Sequence, residues 1–329
     1  MRGMVIAIGC LGAGILAADV APIPKDTLPA KLLLDEMPLG LGERPESKDN
    51  PLTEARVQLG RRLFFDPILS ADNSVACASC HQPEHGFASA NGRARGIRGQ
   101  AIDRRAPSLF NRAFGKAFFW DGRAGSLEEQ ALMPIADSRE MGSNVADAVK
   151  RLQNHENYRD AFAVTFGDGV TAANLGKALA SFERVLLRGD SRVDRFRQKG
   201  EHEALSPEER HGLWLYESKA QCWRCHSGRN FTDEDFHNTG VSWGHEPLDL
   251  GRYKVTKNED DRGKFKTPTL RGVVLTGPYM HDGSLKSLDE VVEFYKRGGV
   301  DNPGRDSKIG PLNLSADEVR ALVSFLKSL

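Results

Sequence analysis

The chain has 329 residues, with 45 Lys+Arg against 45 Asp+Glu and a formal net charge of zero. That length accommodates two ordinary domains, each burying its own core. The charge balance excludes a polyanionic partner such as nucleic acid.

The chain opens with Met1-Arg2, a mostly apolar run from Met4 to Ala18, then Asp19 and Ala21-Pro22-Ile23-Pro24, the layout of a cleaved secretory signal assigned to residues 1–21. The run is too short for a spanning helix, and no later segment approaches that length, so an exported, soluble protein without a membrane span is expected. Cys10 falls inside the signal. Ala7-Ile8-Gly9-Cys10 also reads as a lipoprotein acylation site, although the apolar run continues past Cys10.

The other four cysteines form two pairs, each followed directly by histidine: Cys77-Ala78-Ser79-Cys80-His81 and Cys222-Trp223-Arg224-Cys225-His226. In CxxCH two thiols add to the vinyl groups of a haem and the adjacent histidine ligates its iron. Zinc ribbons place their pairs about 15 to 20 residues apart, whereas Cys80 and Cys222 are separated by 142 positions. A thioredoxin-like dithiol needs a βαβ pattern that is missing here. Two covalently attached c-type haems are therefore the expected cofactors.

Elsewhere the pattern is helical. Leu175, Leu179, Phe182, Val185 and Leu186 share one helix face, as do Val319, Leu322, Val323 and Leu326. Capping-box pairs mark four helix starts: Ser126/Glu129, Ser206/Glu209 with Pro207 at the first helical position, Ser287/Glu290 and Ser315/Glu318. Sustained apolar alternation is absent, so the predicted fold class is all-α, with long loops around the haems.

The chain also repeats itself. Gly60-x-x-Leu63-Phe64 recurs as Gly212-x-x-Leu215-Tyr216, and Pro107-Ser108-Leu109 recurs as Pro268-Thr269-Leu270. Trp120-Asp121-Gly122 followed by Ser126-Leu127-Glu128-Glu129 matches His281-Asp282-Gly283 followed by Ser287-Leu288-Asp289-Glu290, at a constant offset of 161 from Pro107 to Glu129. Two cytochrome c-like domains follow, residues 22–200 and 201–329. The boundary is set where a helix ending at Leu187 gives way to a charged stretch before Ser206.

At the same offset Pro134 pairs with Tyr295. A proline cannot ligate iron, whereas a tyrosine phenolate can. The first haem would then be open to a small molecule and the second capped by Tyr295, an asymmetry that suits an enzyme better than an electron wire. The alternative is a half-buried core tyrosine. Met133 and Met141 are thioether candidates for closing the first iron, but Met133 pairs with Phe294 in the repeat, which argues for core. His85 reads as a loop residue. Arg93, Arg95, Arg98, Arg104 and Arg105 form a basic loop that either meets haem propionates or an acidic donor, or is simply solvated.

Over essentially its whole mature length the chain resembles the bacterial dihaem cytochrome c peroxidase and MauG family. The resemblance rests on Leu275-Thr276-Gly277-Pro278-Tyr279-Met280-His281-Asp282-Gly283 and Ala106-Pro107-Ser108-Leu109-x-Asn111, beside the two haem motifs. It implies a periplasmic haem-dependent peroxidase. Conventional members cap the second haem with a methionine 19 residues after that threonine; Tyr295 stands there, the MauG-like variant. Their distal histidine, sixteen residues after the first haem histidine, is replaced by Ile97. The resemblance further implies a first-haem pocket of Gln130, Pro134 and Glu140, with Glu140 as the acid/base on bound hydrogen peroxide. It implies Trp120 as an electron relay between haems, His281 among the cofactor-binding residues, and a calcium ion held by Asn111, Thr276 and Pro278. A surface tryptophan that in MauG serves its protein substrate, six residues before the second haem histidine, is Ala220 here, which argues against MauG's own partner; Trp214 or Trp223 is left for another. Three functions stay open: a peroxidase fed by a small periplasmic cytochrome c or copper protein, a MauG-like enzyme that oxidises side chains of a partner protein, and a non-enzymatic electron carrier.

Overall fold

The computed structural model describes residues 37–329, so the signal assigned to 1–21, Cys10 within it and the start of the expected first domain lie outside the described residues. The main helices are α1 Glu54–Phe65, α2 Leu127–Ala136, α3 Val145–Asn154, α4 Glu156–Phe166, α5 Ala172–Glu183, α6 Arg192–Lys199, α7 Pro207–Glu217, α8 Leu288–Lys296 and α9 Ala316–Leu326. Four of them start where the capping serines stand. Ser126, Ser206, Ser287 and Ser315 accept from the amide three residues on, at 3.1, 3.2, 3.1 and 3.2 Å. Glu209 and Glu318 return the bond to the serine amide, completing the box. Glu129 and Glu290 instead reach one residue further back, to the amides of Gly125 and Lys286. A cap of this kind contributes about 1 kcal/mol to its helix.

Each half is built on one tight helix pair. Helix α1 packs on α5, and α7 on α9. Glycine is required at both crossings, because a Cβ on Gly60 would lie 1.9 Å from the Ala178 carbonyl oxygen and one on Gly212 would lie 1.9 Å from that of Ala321. Beside these crossings Phe64 meets Phe182, and Tyr216 meets Phe325, both with ring centroids 5.0 Å apart. Two separate cores result, one around Leu63, Phe64, Leu152, Phe162 and Leu179 and one around Leu215, Tyr216, Val292, Leu322 and Phe325. Each fully buried Leu or Phe contributes roughly 1.5–3 kcal/mol.

The repeat extends to backbone detail. The amide of Phe118 donates to Ala124 O at 2.9 Å, and that of Tyr279 to Leu285 O at 2.7 Å, 161 positions later. Phe119 and Gly122 take positive φ, as do Met280 and Gly283. Among the described residues the structure is mostly helical, as predicted, with one two-residue antiparallel ribbon pairing Phe236–His237 with Phe265–Lys266.

Around residue 190 the structure differs in detail from the expectation. Helix α5 ends at Glu183 rather than Leu187, and the charged stretch forms its own helix, α6. Val193 and Phe196 of α6 pack into the second core, although they precede position 200. The charge of this helix is used inside: Asp194 makes a bidentate pair with the fully buried Arg271, at 2.6 and 2.9 Å. The halves are joined by a second buried pair, Arg112 with Glu234, at 2.7 and 2.9 Å.

Candidate functional site

Each CxxCH motif forms the wall of a large cavity. The first, about 530 Å³, is lined by Cys77, Cys80, His81, Gln130, Pro134 and Glu140; the second, about 270 Å³, by Cys222, Cys225, His226, Met280, His281 and Tyr295. His81 donates from Nδ1 to Phe87 O at 2.9 Å, and His226 from Nδ1 to Phe231 O at 3.1 Å. This bond fixes the ring and leaves Nε2 as the ligand atom, the arrangement that metal-bound histidines use. Burial pushes both imidazoles below the ordinary histidine pKa, keeping them neutral and able to bind metal.

The four cysteines of the two motifs are unbridged. Burial pushes the Cys77 thiol up to about 12, with Glu183 adding to it, that of Cys80 up to about 11 with help from Glu140, and that of Cys222 to about 12. Both thiols of each pair border the cavity that holds the neighbouring histidine. They suit thioether bonds to a macrocycle filling the cavity beside them. The donor set therefore fits a c-type haem in each half.

The helices α2 and α8 place Pro134 and Tyr295 at equivalent positions over the two cavities. Burial, reinforced by Cys225 and Cys222, raises the Tyr295 phenol well above its ordinary pKa. Glu140 is held by its backbone: its carbonyl accepts from Ile97 N at 2.8 Å and its amide donates to Asp137 O at 3.2 Å. Burial, followed by the nearby Asp137 carboxylate, raises the Glu140 carboxyl above the usual range. Trp120 is buried in the wall common to both cavities. Its Nε1 donates to Arg105 O at 2.8 Å, and its ring lies edge-on to His281 at 6.4 Å. His281 stacks on Phe265 at 3.7 Å, with Nε2 2.9 Å from Ser242 Oγ. Burial pulls its pKa down to about 4, so the ring is neutral.

Residues 54–203 match the family model described as di-haem cytochrome c peroxidase. The methylamine utilization protein MauG of Methylorubrum extorquens is 39% identical over 97% of this chain and 89% of its own. Cytochrome c551 peroxidase of Nitrosomonas europaea is 35% identical, over 87% of this chain and 83% of its own. Among solved structures, a MauG-like protein associated with microbial copper homeostasis superposes with a TM-score of 0.81 at 32% identity, covering 89% of this chain and 94% of that one. The chain belongs to the di-haem cytochrome c peroxidase family. It is a haem-dependent oxidoreductase with two haem c groups and peroxide as substrate.

The remaining predicted residues of this peroxidase take varied places. Met133 packs beside Phe118 and Leu127, and Met141 is buried in the first core. The basic loop divides: Arg93, Arg95 and Arg98 are exposed, while Arg104 pairs with Asp121 and Asp249 and Arg105 is buried between the cavities. Asn111 is fully buried, its Oδ1 accepting from Arg188 N at 2.7 Å and its Nδ2 donating to Arg188 O and Asn230 Oδ1. The Thr276 carbonyl accepts from the Arg105 guanidinium, and Pro278 follows a cis peptide bond. Ala220 is buried, whereas Trp214 and Trp223 are 56% and 49% exposed. Among the described residues no helix is long and apolar enough to cross a membrane.

Two features escaped the sequence reading. Arg112 and Glu234, with Lys266 Nζ 3.6 Å from Glu234, form a buried charge cluster at the cavity walls that no local pattern announces. Glu183 also lines the first cavity. Its signal was available: it stands four residues after Leu179, on the apolar face of its helix.

Proposed function

We propose that this protein works in the periplasm and reduces hydrogen peroxide in the cavity beside His81, with electrons entering by way of the cavity beside His226 and Tyr295. The observation that carries this reading is the Pro134/Tyr295 asymmetry at equivalent helix positions. A haem bound in each cavity supplies an iron centre and a store of redox equivalents. His81 would hold the first group through Nε2, and Pro134, having no ligating atom, would leave room for peroxide in the same cavity. Glu140, in its carboxylate form, takes the proton from one peroxide oxygen and returns it to the other, so that O–O cleavage releases one water; two electrons from the donor and two protons from solvent release the other oxygen as a second water. Gln130 orients the peroxide by hydrogen bonding. Tyr295 and His226 would hold the second group, and Trp120 links the cavities through their shared wall.

The electron donor is a small periplasmic cytochrome c or copper protein. A second reading, oxidation of side chains of a partner protein, is favoured by Tyr295 and by the exposed Trp214 and Trp223. A calcium ion at Asn111, Thr276 and Pro278 is part of either reading, and its binding would displace Arg105 from the Thr276 carbonyl. The test is peroxide consumption with a reduced small c-type cytochrome as donor. Stoichiometric oxidation of the donor supports the peroxidase reading. Peroxide consumption without donor oxidation, together with oxidised tryptophan in a partner protein, supports the second.

A further inference from the structure

Besides Pro134/Tyr295, the two haem cavities differ where the first tight helix pair and the second line them. Gly60 and Gly212 receive the backbones of α5 and α9 at matching points, which sets Ala178 against Ala321 and Phe182 against Phe325. In that register Leu179 corresponds to Leu322 and Glu183 to Leu326. The first of each pair lines the first cavity and the second of each pair lines the second. A wall that is apolar around the second haem site thus carries a carboxyl around the first. Leu326 shows that the fold accepts a hydrocarbon there.

Glu183 is 5% exposed, and its Oε2 has no hydrogen-bond partner among the described residues. The arginines acting on it are committed elsewhere: Arg112 to Glu234, and Arg184 to Glu128 at 2.6 and 2.9 Å. Glu128 on α2 adds a like charge, and the Cys77 thiol feels the carboxyl across the cavity wall. A buried carboxylate without its own counter-ion is costly, so the group is kept neutral until positive charge develops beside it.

We propose that Glu183 is the redox-linked proton site of the first haem pocket: removing one electron from that haem releases the Glu183 proton to water, and returning the electron takes a proton back. The proposal rests on a haem occupying the first cavity and is independent of what reacts there. Burial, opposed by Arg112 and Arg184 and aided by Glu128, lifts this carboxyl to about 8. The protonated form therefore prevails at neutral pH, and the added positive charge of an oxidised haem lowers the pKa from there. Between the two values the potential of the first haem falls as the pH rises.

The experiment is a redox titration of the fully haem-loaded protein from pH 6 to 9, with each haem followed by its own ferric EPR signal, in wild type, Glu183→Gln and Glu183→Leu. In wild type the first-haem potential is expected to fall below about pH 8, with a slope approaching ~59 mV per tenfold change in proton activity. The slope is lost in both variants, and the second haem is unaffected. An unchanged slope in Glu183→Gln overturns the proposal, and this near-isosteric variant decides the matter even if Glu183→Leu fails to take up haem. Peroxide consumption by the same samples separates the two readings. A lost slope with no peroxide reaction in any sample refutes the peroxidase chemistry and retains the proton site; peroxide reaction with a flat wild-type potential refutes the proton site alone.

Discussion

Glu140→Gln isolates the proton chemistry from the scaffold. The Glu140 backbone is clamped by Ile97 and Asp137. Gly96 has no room for a side chain, since a Cβ there would lie 1.9 Å from Arg139 O. The clamp therefore survives an amide of the same shape, and what is lost is the ability to take and return a proton. General acid–base catalysis of this kind is worth about 10²–10⁴-fold, or roughly 2.7–5.4 kcal/mol of barrier. The expected outcome is a fall of that size in kcat/KM for peroxide, measured by stopped-flow consumption, with the haem spectra and unfolding midpoint unchanged. The pH profile carries a second signature. Because burial and Asp137 raise the Glu140 carboxyl, the active carboxylate is lost as the pH falls through a value above the ordinary carboxylate range. Wild type then shows an acid limb displaced toward neutrality, and the variant shows none. A variant within about threefold of wild type, with the same acid limb, would refute the assignment.

Tyr295→Phe is expected to change the optical and EPR spectra of the second haem while leaving the first alone; an unchanged second-haem spectrum rules out ligation. Arg271→Ala leaves Asp194 buried without its partner, which costs about 3–5 kcal/mol, read by denaturant unfolding; a loss under ~1 kcal/mol would show that the pair is dispensable. On the proposed calcium site, calcium added to chelator-treated protein is expected to compete with Arg105 for the Thr276 carbonyl, so Arg105→Gln is expected to bind calcium more tightly in calorimetry. Equal affinity in wild type and variant would place the ion elsewhere or nowhere.

Much of the site was legible because it is written in local chemistry. CxxCH, the serine caps and the 161-residue offset depend only on neighbours along the chain, and the offset alone set Pro134 against Tyr295. The paired structural detail of Phe118/Ala124 and Tyr279/Leu285 follows from the same repeat. What escaped depends on contacts distant in sequence. Arg112 finds Glu234 across 122 positions and Arg105 finds Thr276 across 171, and charge alone does not say which arginine of a basic run turns inward. Helix α5 stops short of the expected Leu187 for a related reason: Val185 and Leu186 continue the apolar periodicity and are buried, but in the turn that follows Glu183. Periodicity reports burial, and a buried turn satisfies it as well as a helix does.

The most direct test of the central claim is stopped-flow titration of the fully oxidised, haem-loaded protein with one equivalent of hydrogen peroxide, quantifying both the peroxide remaining and the spectral change. Peroxide is expected to disappear without prior reduction, with both haem spectra responding in wild type and the reaction slowed at least about a hundredfold in Glu140→Gln. Peroxide left unconsumed by the fully oxidised protein would contradict it, and failure of the half-reduced protein as well would refute peroxide chemistry altogether.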